Sequence, residues 1–132
     1  MNPPPIALGL TLCEKVIVEE RSRNLTLVST FTRLFADEFP SRPERFAFAT
    51  VLTGGRGRGT VDLVITQLET DEETYTMRRQ LRFPNRLAEV RVVFHVRDCS
   101  FPAPGPYDAT LFVDGDPIAR RKFSLEEREE SQ

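Results

Sequence analysis

The chain has no tryptophan, one histidine and two cysteines, and each scarcity closes off a class of chemistry. A single His95 without Cys or carboxylate partners at ligand spacing cannot assemble a zinc site. Nor is there a nucleophile placed to use it as a general base, so no catalytic role is assigned to it. Cys13 and Cys99 lack the C-x-x-C spacing of redox and metal pairs. No apolar run approaches the roughly 18 residues needed to span a bilayer. The opening Met1-Asn2-Pro3-Pro4-Pro5 has no basic region, and Ile6 to Leu12 is too short for a signal-peptide core, which leads to the expectation of a cytoplasmic protein. In that reducing compartment the two cysteines are expected to be free thiols, the alternative being a bridge between the first strand and a late one. No cofactor, no metal and no enzymatic activity are expected.

Charge of either sign is also missing as a net quantity. Lys and Arg number 18 against 20 Asp and Glu, and the resulting −2 creates no whole-molecule field that would select nucleic acid or an acidic membrane. What is present is a globular composition, 39% hydrophobic and 29% charged, with ten Phe. A chain of 132 residues is one domain that buries roughly two thirds of its unfolded surface, enough to dispense with metal or disulfide staples.

Hydrophobic periodicity is almost entirely two, the period of a strand with one buried face. Leu8, Leu10 and Leu12 continue through Val16 and Val18 as a first strand. A polar turn at 19–24 returns into Leu25, Leu27, Ser29 and Phe31, making a long hairpin that runs on through Leu34 and Phe35 to a loop pinned by Phe35 and Phe39 and closed by Pro40 and Pro43. Phe46 to Leu52 is apolar on both sides and reads as a central strand. Gly54-Gly55-Arg56-Gly57-Arg58-Gly59 reads as a flexible hairpin turn into Val61, Leu63 and Ile65. After the acidic turn at 69–73 come Tyr75, Met77, Arg79 and Leu81, then Val90, Val92, Phe94 and Val96, with Arg91, His95 and Arg97 opposite. Pro104-Gly105 opens a strand with Tyr107, Ala109, Leu111 and Val113 on one face, Asp114-Gly115 turns it, and Pro117 to Phe123 returns as an edge. The pattern predicts an all-β sandwich over 6–125, preceded by a Pro-rich arm at 1–5 and followed by a solvated acidic tail at 126–132.

Leu12 to Glu20, Leu25 to Phe31, Leu52-Thr53-Gly54-Gly55 and Phe101 to Tyr107 resemble a family of small uncharacterised bacterial cytoplasmic proteins, and the resemblance extends over nearly the whole domain. It implies an immunoglobulin-like fold, a single antiparallel β-sandwich of about seven to nine strands, and brings no functional residue with it. The core Trp and bridging disulfide of antibody domains are absent. Tyr107 suits a tyrosine corner, its hydroxyl bonded to backbone a few residues upstream.

The functional anomaly is charge segregation. Arg78, Arg79, Arg82, Arg86, Arg91 and Arg97 face only Glu89, and Arg120, Arg121 and Lys122 form a second cluster. If the strands are neighbours, one sheet face is basic, and arginine is the residue of interface anchors and bidentate carboxylate recognition. A solvated face laced with cross-strand ion pairs gives the same pattern. The candidate partner contacts are Arg56, Arg58, Arg79, Arg91, His95, Arg97, Arg120 and Arg121, in a non-catalytic protein interaction or scaffolding module, with self-association through an edge strand as one form of it. The alternative is anion or nucleic-acid binding through the same arginines and the Gly54 to Gly59 loop. That loop lacks the helix and the Lys-Ser/Thr pair of a phosphate loop.

Overall fold

The computed structural model describes residues 3–129. Among them are ten strands and no helix: β1 Ile6–Ala7, β2 Thr11–Val18, β3 Leu25–Phe31, β4 Arg33–Ala36, β5 Phe46–Thr53, β6 Gly57–Gln67, β7 Glu72–Phe83, β8 Val90–Val96, β9 Gly105–Val113 and β10 Asp116–Glu127. None of the described residues forms a helix long and apolar enough to cross a membrane. In one sheet β5 has β8 on one side and β1 and β2 on the other, with β3 beyond β2. The other runs β4-β10-β9-β6-β7, antiparallel except where β4 meets β10 in parallel. Both sheets curl around one core.

That core follows from period two. Val92, Phe94 and Val96 of β8 and Val61, Leu63 and Ile65 of β6 are buried, while the residues between them face outward. Phe48 and Phe123 meet edge to face at 6.0 Å across the two sheets, and Phe101 abuts Tyr107 at 5.0 Å. The Tyr107 hydroxyl donates to the Ala103 carbonyl at 2.7 Å, which is the expected corner. The Phe46 to Leu52 strand is central, with neighbours on both sides as its apolar faces require.

Several local readings are corrected. The first strand is broken into β1 and β2 at Gly9, whose φ of +88° lies outside the extended region. Leu34 and Phe35 do not prolong β3: they form β4 in the opposite sheet. Phe35 is half exposed under the Arg33 guanidinium, while Phe39 packs on the core. Gly54 to Gly59 is no hairpin turn, because β5 and β6 belong to different sheets; it crosses between them, and its last three residues are already β6. A Cβ on Gly55 would sit 2.5 Å from the Phe83 ring, so this glycine is a packing requirement. The tail starts later than expected: Leu125 is buried and Glu126 and Glu127 pair with Phe35 and Ala36. The rest of the tail from residue 130 lies outside the described residues. β10 is an edge from Asp116 to Phe123 only. Cys13 and Cys99 are free and buried; loss of hydration raises both thiol pKa values, that of Cys99 to about 12.

The β2–β3 hairpin leaves its sheet. Cys13 lies beside Ala47, and Ala47 beside His95. At about 3.3 Å per residue a straight hairpin would hold Asn24 on the order of 30 Å from Arg91, yet the Arg91 guanidinium donates to Asn24 Oδ1 at 3.3 Å. The hairpin therefore bends back across the outer side of β5 and β8. The bend falls at Glu14 and Ser29, which drop out of the pairing register, Ser29 with φ +56°. Beneath it Ala47 and Ala49 are buried on what would otherwise be a solvent face, and their small side chains permit the approach.

Candidate interaction groove

β7 and β8 are not hydrogen-bonded neighbours; each is the edge of a different sheet, and the two edges meet along a seam. Side chains bridge it. Arg79, opposite Val61 on the inward register of β7, donates to the Val93 carbonyl, a group that an edge strand would leave to water. Four residues back along β7, the Tyr75 hydroxyl meets the Arg97 backbone. Burial raises the pKa of this phenol and that bond partly offsets the rise.

Along this seam lies a groove of about 470 Å³. Its apolar floor comes from Val18 and Leu25 of the folded-back hairpin and from Ala88, Val90 and Val93. Its rim carries Arg23, Arg79, Arg82, Arg91 and His95, with Glu89 the one acid. Arg33, Arg78, Arg120 and Arg128 each hold a carboxylate elsewhere, on Glu126, Asp62, Asp108 and Asp37. Among the described residues, none of the four groove arginines has a carboxylate within 4.0 Å. All four are exposed, and cationic side chains converging on one concave site without counter-charges attract an anion more strongly than the same groups dispersed over the surface.

Next in sequence to Ala88, which lines the groove, Leu87 is 90% exposed. Its turn is held three ways: the Leu87 amide donates to Asn85 Oδ1 at 2.9 Å, Ala88 N to the Asn85 carbonyl at 3.3 Å, and Gly54 N to the Arg86 carbonyl at 3.1 Å. A large apolar side chain is thus presented to water on a fixed turn.

Of the sequence-predicted contacts, the groove unites Arg79, Arg91 and His95. Arg97 lies just past β8, exposed. Arg56 and Arg58 line a separate cleft of about 290 Å³ with Asp114, Asp116 and Pro3 to Pro5. Arg120 is engaged by the buried Asp108, its Nε 2.6 Å from Oδ2, and so serves the fold. Arg121 is exposed on the β10 edge. The basic region is therefore a seam between two sheets, and the expected single basic face is not formed. Sequence reading missed Arg23, which only the bent hairpin delivers, and Leu87, whose signal was an isolated large apolar residue in the polar run from Pro84 to Glu89. Among the described residues no three His, Cys, Asp or Glu side chains are grouped to hold a metal ion.

A family model described as a family of unknown function (DUF6941) matches residues 8–126. No curated protein matches the chain. Among solved structures the chain is similar to the Pseudomonas fluorescens alkylpurine DNA glycosylase AlkC bound to DNA containing an abasic site analog, with a TM-score of 0.56 and 13% identity over 95% of this chain. The chain spans 31% of that protein's length, and the likeness is one of fold.

Proposed function

This chain belongs to the DUF6941 family of unknown function, and we propose that it is a non-catalytic interaction module whose seam groove docks an acidic, partly apolar segment of a protein. The observation that carries the reading is convergence: four arginines from three separate segments rim one apolar-lined groove, and among the described residues none of them has a carboxylate within 4.0 Å. Leu87 supplies the apolar anchor that an otherwise electrostatic contact lacks. In this reading the fold is of the immunoglobulin-like kind, supported by the Tyr107 corner, and the protein works in the cytoplasm, supported by two buried unpaired thiols.

Nucleic acid is the second reading, because the similarly folded glycosylase is bound to DNA. Against it stand the net charge of −2 and a groove lined by no Phe, Tyr or Trp on which a base would stack. The test is fluorescence anisotropy with a labelled peptide of mixed Glu and Leu and, in parallel, a labelled DNA duplex, across a salt series. The peptide is expected to bind, and R82Q with R91Q to weaken it about tenfold, two exposed charge contacts at roughly 0.5–1 kcal/mol each. Leu87→Ser is expected to weaken it further without changing stability. Preferential duplex binding that falls steeply with salt transfers the conclusion to nucleic acid. Peptide binding unaffected by these substitutions overturns the assignment of the groove.

A further inference from the structure

β7 is electrically polar. At one end the turn after β6 presents Asp71, Glu72 and Glu73, all exposed, and among the described residues none has a cation within 4.0 Å. The turn is stiff: Asp71 has φ +60° and its amide donates to the Gln67 carbonyl at 2.8 Å, and the Thr70 hydroxyl bonds the buried Gln67 side chain at 3.2 Å. At the other end Arg79 and Arg82 enter the groove. Glu72 and Arg82 are roughly 33 Å apart at about 3.3 Å per residue, several Debye lengths at physiological salt. The two ends cannot neutralise each other within one chain.

We propose that the acidic turn at 69–73 is an occupant of the groove, supplied by a second copy of this chain, so that the protein associates head to tail. The proposal rests on the groove reading above and names its partner. Three features support it: complementary charge, an exposed donor turn held by its own hydrogen bonds, and an acceptor whose arginines have no carboxylate within 4.0 Å among the described residues. With a net charge of only −2, mutual repulsion between copies is small and the dipole along β7 orients their encounter. Turn and groove are different surfaces, so the contact is heterologous. It propagates as open chains or closes as a ring, and it does not stop at a two-fold dimer.

The experiment is size exclusion with light scattering over a concentration series, using the wild type, a groove variant R82Q/R91Q and a turn variant E72Q/E73Q. All four positions are exposed, and circular dichroism confirms that each variant folds. The wild-type weight-average mass is expected to rise with concentration to at least about twice the monomer and to return to the monomer in ~1 M salt, where the Debye length is about 3 Å. Each variant alone is expected to stay monomeric. Mixed in equal amounts, they are expected to form a 1:1 heterodimer and nothing longer, because only one intact turn and one intact groove remain. A wild type that is monomeric throughout, a groove or turn variant that still associates, or a mixture that yields no heterodimer overturns the proposal. The labelled Glu and Leu peptide separates the two layers. If it binds the turn variant and not the groove variant while the wild type stays monomeric, the self-association fails and the groove reading stands. If it binds neither variant, both fall.

Discussion

Gly55→Ala is a substitution whose sign two arguments dispute. The φ of Gly55 lies outside the left-handed region, so an alanine there fits the backbone and narrows the unfolded ensemble, worth roughly 0.4–1 kcal/mol of stabilisation. The added Cβ, however, would lie 2.5 Å from Cδ2 and Cε2 and 2.7 Å from Cζ of Phe83, a ring only 3% exposed and fixed in the core. Overpacking of this kind costs roughly 1–3 kcal/mol. The ring belongs to the buried core cluster, and displacing it would expose apolar surface, so the clash wins. The expected net loss is about 1–2 kcal/mol. For 132 residues that is a drop of roughly 4–7 °C in Tm, at about 2.1 cal/mol/K of unfolding entropy per residue. Urea melts of Gly55→Ala, Phe83→Leu and the double variant isolate the cause. Phe83→Leu vacates the space, and in that background Gly55→Ala is expected to be neutral or slightly stabilising, a coupling of at least about 1 kcal/mol. Gly57→Ala is the control: its φ is +65° with open space around it, so its cost is backbone strain that Phe83→Leu leaves unrelieved. A Gly55→Ala protein more stable than wild type, or costs that add within ~0.5 kcal/mol, would refute the packing argument and restore the loop as a free turn.

Tyr107→Phe keeps a fully buried ring but strips the Ala103 carbonyl of its donor, and a loss of about 1–3 kcal/mol is expected in the same melts with an unchanged m value. An effect below ~0.5 kcal/mol would mean that water replaces the hydroxyl. The Cys99 thiol, with a pKa raised from 9.0 to about 12 by burial, gives stability an alkaline slope. Unfolded thiols ionise near 9 while the folded one holds its proton, so the folded state is favoured in full below that pH. Stability then falls as pH climbs toward 12, by roughly 1.4 kcal/mol per pH unit for one group. Cys99→Ala should flatten that part of the profile; a slope unaltered between pH 9 and 10 would assign it to other groups.

Legibility divides along the range of the interactions. The buried faces of β6, β8 and β9 were readable because alternation such as Val92, Phe94, Val96 is a local pattern, and β5 because it is apolar on both sides. The Asp114-Gly115 turn was readable because two consecutive positive φ values, 48° and 89°, call for those residue types. The Gly54 to Gly59 crossover was not, since a glycine-rich turn has the same signature whether it returns to the same sheet or passes to the other. The basic groove was half legible. The arginines of β7 and β8 stood out as a run, but whether their strands adjoin by ladder or by seam depends on how two sheets close. That Arg23 joins them depends on a hairpin bent at a serine that sequence marks as an ordinary strand residue.

The parallel ladder between β4 and β10 sets an order of events during synthesis. Arg33 and Glu126, which bond across it, are 93 residues apart in the chain. At about 5–20 residues per second, a ribosome delivers the second roughly 5–19 s after the first. Through that interval β4 has no strand to pair with, and Leu34, which ends half-buried against the core, lacks its cover. A nascent chain stalled before Ser124 is therefore a species with an unsatisfied short strand and an open second sheet, the form on which a holdase or a protease would act.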